Sequence, residues 1–192
     1  MQSILRRRTA TLFAVTAALA VLMCGCVPEE PLPSAAPTST RGEAPFATDD
    51  DALAAAQKTY EEFMAIANQI MAEGGASPER LDAIAAPDVV AFETQGFKKF
   101  AERNLTAGGG STVTTAVLQS YTPTVPDGAG IIVGYFCVDG SGITVVDESG
   151  TSVVDQSRPA LSAFEITFDL AEKDPPRLVV SSKKIWDGAG VC

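Results

Sequence analysis

The chain is 192 residues long and carries 24 acidic against 14 basic side chains, a net charge of −10 at neutral pH, with no histidine. Without histidine there is no Ser-His-Asp or Cys-His nucleophile, no imidazole base and no histidine metal ligand, so any catalysis falls to carboxylates, tyrosines or lysines. The acidic balance argues against nucleic acid and against direct binding to anionic lipid headgroups, both of which need a basic surface.

The first 26 residues, MQSILRRRTATLFAVTAALAVLMCGC, hold Arg6, Arg7 and Arg8, then an apolar run from Ala10 to Met23, then Gly25 and Cys26. A basic region, a short apolar stretch and a small residue before the cut are the parts of a secretory signal. The run is too short for a comfortable bilayer span. Met23-Cys24-Gly25-Cys26 resembles a bacterial lipobox, in which a small residue precedes the cysteine that is acylated. Residues 1–25 are therefore expected to be a lipoprotein signal peptide and Cys26 the lipidated N-terminus. Signal cleavage without lipid is the alternative. The general export route is favoured over the twin-arginine one, because the residues after Arg7-Arg8 fit that motif poorly. Each buried methylene of an acyl chain contributes about 0.8 kcal/mol, so two or more chains hold a protein at a membrane without a transmembrane helix. The expected location is the outer face of the cell membrane, and losing Arg6, Arg7 and Arg8 with the signal deepens the negative charge.

With Cys24 removed and Cys26 acylated, Cys137 and Cys192 remain, and in an exported chain they read as one disulfide. For a loop of that length the chain-entropy model gives roughly 4 kcal/mol. Two free thiols are the bland alternative. Two thiols without histidine argue against zinc, and no metal or cofactor is implied.

From Val27 to about Ala47 the sequence VPEEPLPSAAPTSTRGEAPFA is rich in Pro, Ser, Thr and Ala. It reads as a disordered tether over 26–47, and 48–192 then has the size of a single domain. That domain opens with a helix in which Leu53, Ala56, Tyr60, Phe63, Ala67 and Ile70 recur at spacings of three and four, with Met64 and Met71 beside them. Thr48 or one of Asp49 to Asp51 caps it and Gly74-Gly75 stops it. Ser77-Pro78 begins a second helix that buries Leu81, Ile84 and Ala85 and ends at Pro87. A third, around TQGFKKFAERNL, puts Phe97, Phe100, Ala101 and Leu105 on one side. TAGGGST lacks the Gly-Lys-Ser/Thr ending of a phosphate loop and reads as a connector. After Ser111 the period shortens to that of strands: STVTTAVLQSYTP, GIIVGYFCVDG, two short strands in GITVVDESGTSVV around Asp147–Gly150, ALSAFEITFDL, and RLVVSSKKIW beyond Lys173-Asp174-Pro175-Pro176. Helices followed by consecutive strands give an α+β domain, an antiparallel meander packed on helices.

The order of a long helix, a Pro-initiated second helix ending in APDVV, a third helix and a long curved antiparallel sheet resembles the nuclear transport factor 2-like superfamily. GYFCVDGSG together with the Trp186-Asp187-Gly188-Ala189-Gly190-Val191-Cys192 ending is similar to its secreted or lipid-anchored actinobacterial members. The resemblance covers about residues 50–192. It implies three helices leaning on a sheet as a cone, a pocket between them, and homodimers through the outer sheet face. Enzymes of the superfamily place an Asp or a His in the cone with a Tyr or acid as partner, and no such residue is matched here. The leading expectation is a non-enzymatic, lipid-anchored envelope domain that binds an envelope protein partner or a small apolar ligand. Tyr60, Phe63, Phe100, Tyr135 and Trp186 are the candidate pocket walls, with simple core packing as their bland alternative. A second expectation is a carboxylate-dependent isomerase, dehydratase or hydrolase using a buried acid, for which Asp139, on the strand face of Tyr135 and Cys137, is the nearest candidate and Glu165 faces away from the apolar side of its strand. A third is a self-associating structural subunit.

Overall fold

A computed structural model describes residues 44–192. The expected signal peptide 1–25, the expected lipidation site Cys26 and all but the last residues of the expected tether lie outside that range. Among the described residues no helix is long and apolar enough to cross a membrane.

The elements in chain order are α1 (Asp49–Ala72), a 3₁₀ turn (Pro78–Ala83), α2 (Pro87–Glu102), β1 (Thr106–Gly108), β2 (Thr112–Tyr121), a second short 3₁₀ turn (Pro126–Gly128), β3 (Ile132–Asp139), β4 (Thr144–Val146), β5 (Leu161–Lys173) and β6 (Pro176–Ile185). β2, β3, β5 and β6 form one antiparallel sheet in that order, and β1 pairs with β4 in a small second one. The α+β class is as the sequence predicts, with helices packed on an antiparallel sheet.

α1 begins where Thr48 Oγ1 accepts the Asp51 backbone N–H at 3.1 Å, with three aspartates in the first turn facing the positive end of the helix dipole. It stops at Gly74 and Gly75, both in the left-handed region. Gly75 also lies against the backbone of Phe97, where a Cβ would collide. The second helix differs from expectation. Ser77-Pro78 opens only a 3₁₀ turn, and Pro87, expected as a stop, is the first residue of α2. Ala86 is extended (φ −68°, ψ 153°), and a proline that needs no N–H partner fits the turn that follows. On α2 and just beyond it Phe97 and Leu105 are buried, Phe100 is half-buried and Ala101 is exposed. The TAGGGST segment is more than a connector, since its first three residues are β1. Of the expected pair around Asp147–Gly150 only β4 is a strand, and the return is a single bridge from Val146 to Ser152. The Asp147 carboxylate holds that turn by accepting the N–H groups of Ser149 and Thr151.

The core lies between α1 and one face of the large sheet. Ala52, Ala56, Tyr60, Phe63 and Ile70 of α1 meet Ile132 and Phe136 of β3, Ile166 and Phe168 of β5, and Val180 of β6. Ring centroids stand 5.0 Å apart for Tyr60–Phe136 and 5.9 Å for Phe136–Phe168. Among the described residues the clustered core runs from Phe46 to Val180. Register shifts at Thr114 and Gln119 of β2, Ala171 of β5 and Ser181 of β6 each add a residue to one strand, which bends and twists a sheet locally.

Candidate functional site

Side chains of a strand alternate between the faces of its sheet, and β3 shows what that does here. Ile132, Phe136 and Val138 point to α1. Tyr135, Cys137 and Asp139 point to the other face. The five candidate wall residues are divided by this alternation. Tyr60 and Phe63 sit in the core at 1% exposure, their rings stacked at 6.0 Å. Tyr135 and Trp186 pack with ring centroids 4.5 Å apart, tilted by 35°, on the outer face, both half-buried. Phe100 is half-buried on α2 and belongs to neither pair. A single wall made of all five is therefore corrected to two separate aromatic pairs on opposite sides of the sheet. A water-sized sphere reaches almost none of Tyr60, Phe63, Phe136 or Phe168, so in this conformation no ligand touches them.

Part of the outer face is covered by the segment after β6. Trp186 N–H donates to the Ala163 carbonyl at 2.8 Å, and the chain then crosses back over the indole. Gly188 lies directly on that ring, where any Cβ would overlap the indole, and Gly190 takes the left-handed region (φ 95°). Val191 is buried, and Cys192 meets Cys137 as a disulfide pair with Cα atoms 5.1 Å apart. Cys137 itself is 1% exposed. The Trp186 indole N–H is left without an acceptor beneath this cover, an unpaired donor of the kind that costs about 1–3 kcal/mol.

Asp139 is not set up for proton transfer. The Asp139 carboxylate accepts the Ser141 N–H at 2.7 Å, and hydrogen bonds from the Ser141 backbone and side chain, helped by Arg158, hold its pKa below the ordinary value. A general acid or base at neutral pH needs the opposite shift. Glu165 is half-buried on the outer face, in register with Tyr135 on one neighbour strand and Lys184 on the other.

One polar pair that sequence reasoning missed lies on the helix side. Lys183 of β6 reaches Glu93 of α2 at 2.7 Å, its ammonium 5.6 Å from the Phe63 ring centroid and 5.5 Å from that of Phe164. Both side chains are largely buried, at 25% and 16% exposure. Burial, and then the nearby Glu93 charge, push the Tyr60 phenol far above its ordinary pKa. Strand alternation counted from Leu178 and Val180 places Lys183 on the outer face. The extra residue at Ser181 reverses that parity and turns it toward α2. Nothing in the residue pattern marks the bulge.

Two surface depressions flank α1. One, of about 430 Å³, is bordered by Lys58, Glu62, Ile66, Ile84 and Leu178, and the other, of about 410 Å³, by Glu61, Met64, Asn68, Thr112 and Val113. None of the five candidate aromatics lines either. Among the described residues no group of three or more acids and cysteines is placed to hold a metal ion.

No protein-family model and no curated protein matches the chain. Two solved structures are similar to it in shape. The intermembrane space region of the chloroplast protein ARC6 has a TM-score of 0.49 at 10% identity, over 69% of this chain and 95% of that one. A de novo designed β-sheet protein has a TM-score of 0.31 at 14% identity, over 73% of this chain and 92% of that one. At these values neither bears on what the chain does, and the α+β architecture rests on its own elements and their pairing.

Proposed function

We propose that the chain is an exported, lipid-anchored envelope protein whose C-terminal domain, of nuclear transport factor 2-like character, is non-enzymatic and binds an envelope protein partner. The observation that carries the binding half is the filled interior. With Tyr60, Phe63, Phe136 and Phe168 at 1% exposure or less, a small apolar ligand has no room between helix and sheet, and recognition moves to the outside. There Tyr135 and Trp186 offer half-buried aromatic surface beside the exposed Val117, the kind of side chains that anchor protein contacts. The anchoring half rests on the Arg-rich start, the apolar run and Gly25-Cys26.

Photo-reactive residues introduced in intact cells at Thr115 and Val117, next to the aromatic pair, should cross-link a second protein, whereas Gln57 and Lys58 on α1 should not. Cross-links confined to α1 would refute the outer-face assignment. Fatty-acid labelling should be present in the wild type and absent in Cys26→Ser. Equal labelling of the two, or none in the wild type, refutes the anchor.

A further inference from the structure

β2 and β6 are the two edges of the large sheet, and they are finished differently. Part of the outer side of β6 is already occupied: Val180 donates to the Ile84 carbonyl at 2.9 Å and accepts from the Ala86 N–H at 2.8 Å. That strand also carries Arg177, Lys183 and Lys184. β2 runs ten residues, TVTTAVLQSY, with no charge, no proline and no glycine. Among the described residues no strand lies on its far side. Soluble proteins guard long edges with lysine, proline or bulges, because an unpaired ladder recruits another strand. β2 has bulges at Thr114 and Gln119, but between them Thr115–Leu118 stays regular and includes Val117 at 42% exposure.

We propose that Thr115–Leu118 pairs antiparallel with the same stretch of a second copy of this chain, about a two-fold axis, to make one continuous eight-stranded sheet. Two features select a second copy over a different partner. Antiparallel pairing of one stretch with itself is self-complementary and closes after two subunits. The stretch is also neutral in a chain of net charge −10, so two copies meet there without bringing carboxylates together. Two acids stand beside this strand, Glu61 of α1, which flanks Thr112 and Val113, and Asp139 of β3, in register with Thr112. Both lie about four residues from the axis, so each falls at the opposite end of the contact from its copy. At about 3.3 Å per residue the copies stand roughly 25 Å apart, well beyond a Debye length. A partner chosen by charge would find nothing on β2 to read.

The test is sedimentation velocity with hydrogen exchange on the compact unit Ser39–Cys192, which holds the clustered core, over a micromolar to submillimolar series. The expected result is a monomer that shifts to a dimer as concentration rises, with slowing of amide exchange in Thr115–Leu118. Val117→Lys and Thr115→Lys, both at exposed positions, should abolish the shift while keeping wild-type melting curves. Ile185→Lys, at the far edge, should leave the dimer intact. A monomer at every concentration overturns the proposal. So does a dimer that survives both lysine variants, or one lost only in Tyr135→Ala, which would assign the contact to the sheet's outer face.

Discussion

The two faces of the large sheet are held shut by different means. The helix side is closed by the stripe of α1 from Ala52 to Ile70 and a continuous aromatic and aliphatic core. The outer side is covered in part by a seven-residue tail, Trp186–Cys192, fixed by one packed indole and one covalent bond. Strand β3 feeds both, with Phe136 on one side and Tyr135 and Cys137 on the other. Where area is available, burial alone suffices. Where seven residues with two glycines must stay down, the entropy of so short a segment exceeds what its few apolar groups return, and a crosslink makes up the difference.

That contrast predicts unequal responses. Phe136→Ala removes a side chain with no exposure from the centre of the core and should lower unfolding free energy by about 3–5 kcal/mol in urea titration. Reduction, or Cys192→Ser, should lower it by roughly 2–4 kcal/mol. Because Trp186 is the sole tryptophan, its emission should shift to the red on reduction while far-ultraviolet circular dichroism stays constant. An unchanged melting temperature and emission would show that packing of Val191 and Trp186 suffices, and the contrast between faces would fail.

The Glu93–Lys183 pair sits at the boundary between core and solvent, and Glu93→Gln or Lys183→Met should each cost about 1–2 kcal/mol. A double-mutant cycle should show coupling of about 1 kcal/mol, and zero coupling would reduce the pair to a surface contact. The smallest effect is confined to alkali. The Tyr60 phenol is raised in the folded state, so the native form retains its proton when the unfolded one, with an ordinary value of 10.0, gives it up. The stability this provides is complete below pH 10 and is lost as pH rises toward the folded value. Tyr60→Phe should flatten that alkaline decline, and an unaltered slope would show that Tyr60 titrates freely.

Features set by neighbours in the sequence were readable from it. A helix start at Thr48 or the aspartates after it, the Gly74-Gly75 stop, and the shared face of Tyr135, Cys137 and Asp139 follow from local pattern, and the pairing of the last two cysteines follows once Cys24 and Cys26 are assigned to export. Features set across the fold were not. Pro87 carries the same local signal as an end and as a first turn, and only the docking of Ala86 on Val180 makes it a start. Alternation groups Tyr135 with Cys137 but does not say which face α1 covers, so the pattern alone does not show that the sheet separates Tyr60 and Phe63 from Tyr135 and Trp186. β1 is three residues long and exists only because β4 lies beside it. Lys183 was hidden by one inserted residue, since a bulge reverses the facing of everything after it.

Near its start the folded body carries a small clasp. The Phe46 N–H donates to the Tyr121 hydroxyl at 3.0 Å, the same hydroxyl donates to the Phe46 carbonyl at 3.1 Å, and the two rings meet edge to face at 5.9 Å. Mechanically this sets where a load enters the domain. Tension on the chain ahead of Phe46 reaches the end of β2 before it reaches α1, so the first turn of the helix is spared until the clasp opens. The force needed to extend the domain from that end is then governed by one tyrosine, and in a single-molecule pulling trace Tyr121→Phe should add an early, low-force step that the wild type lacks.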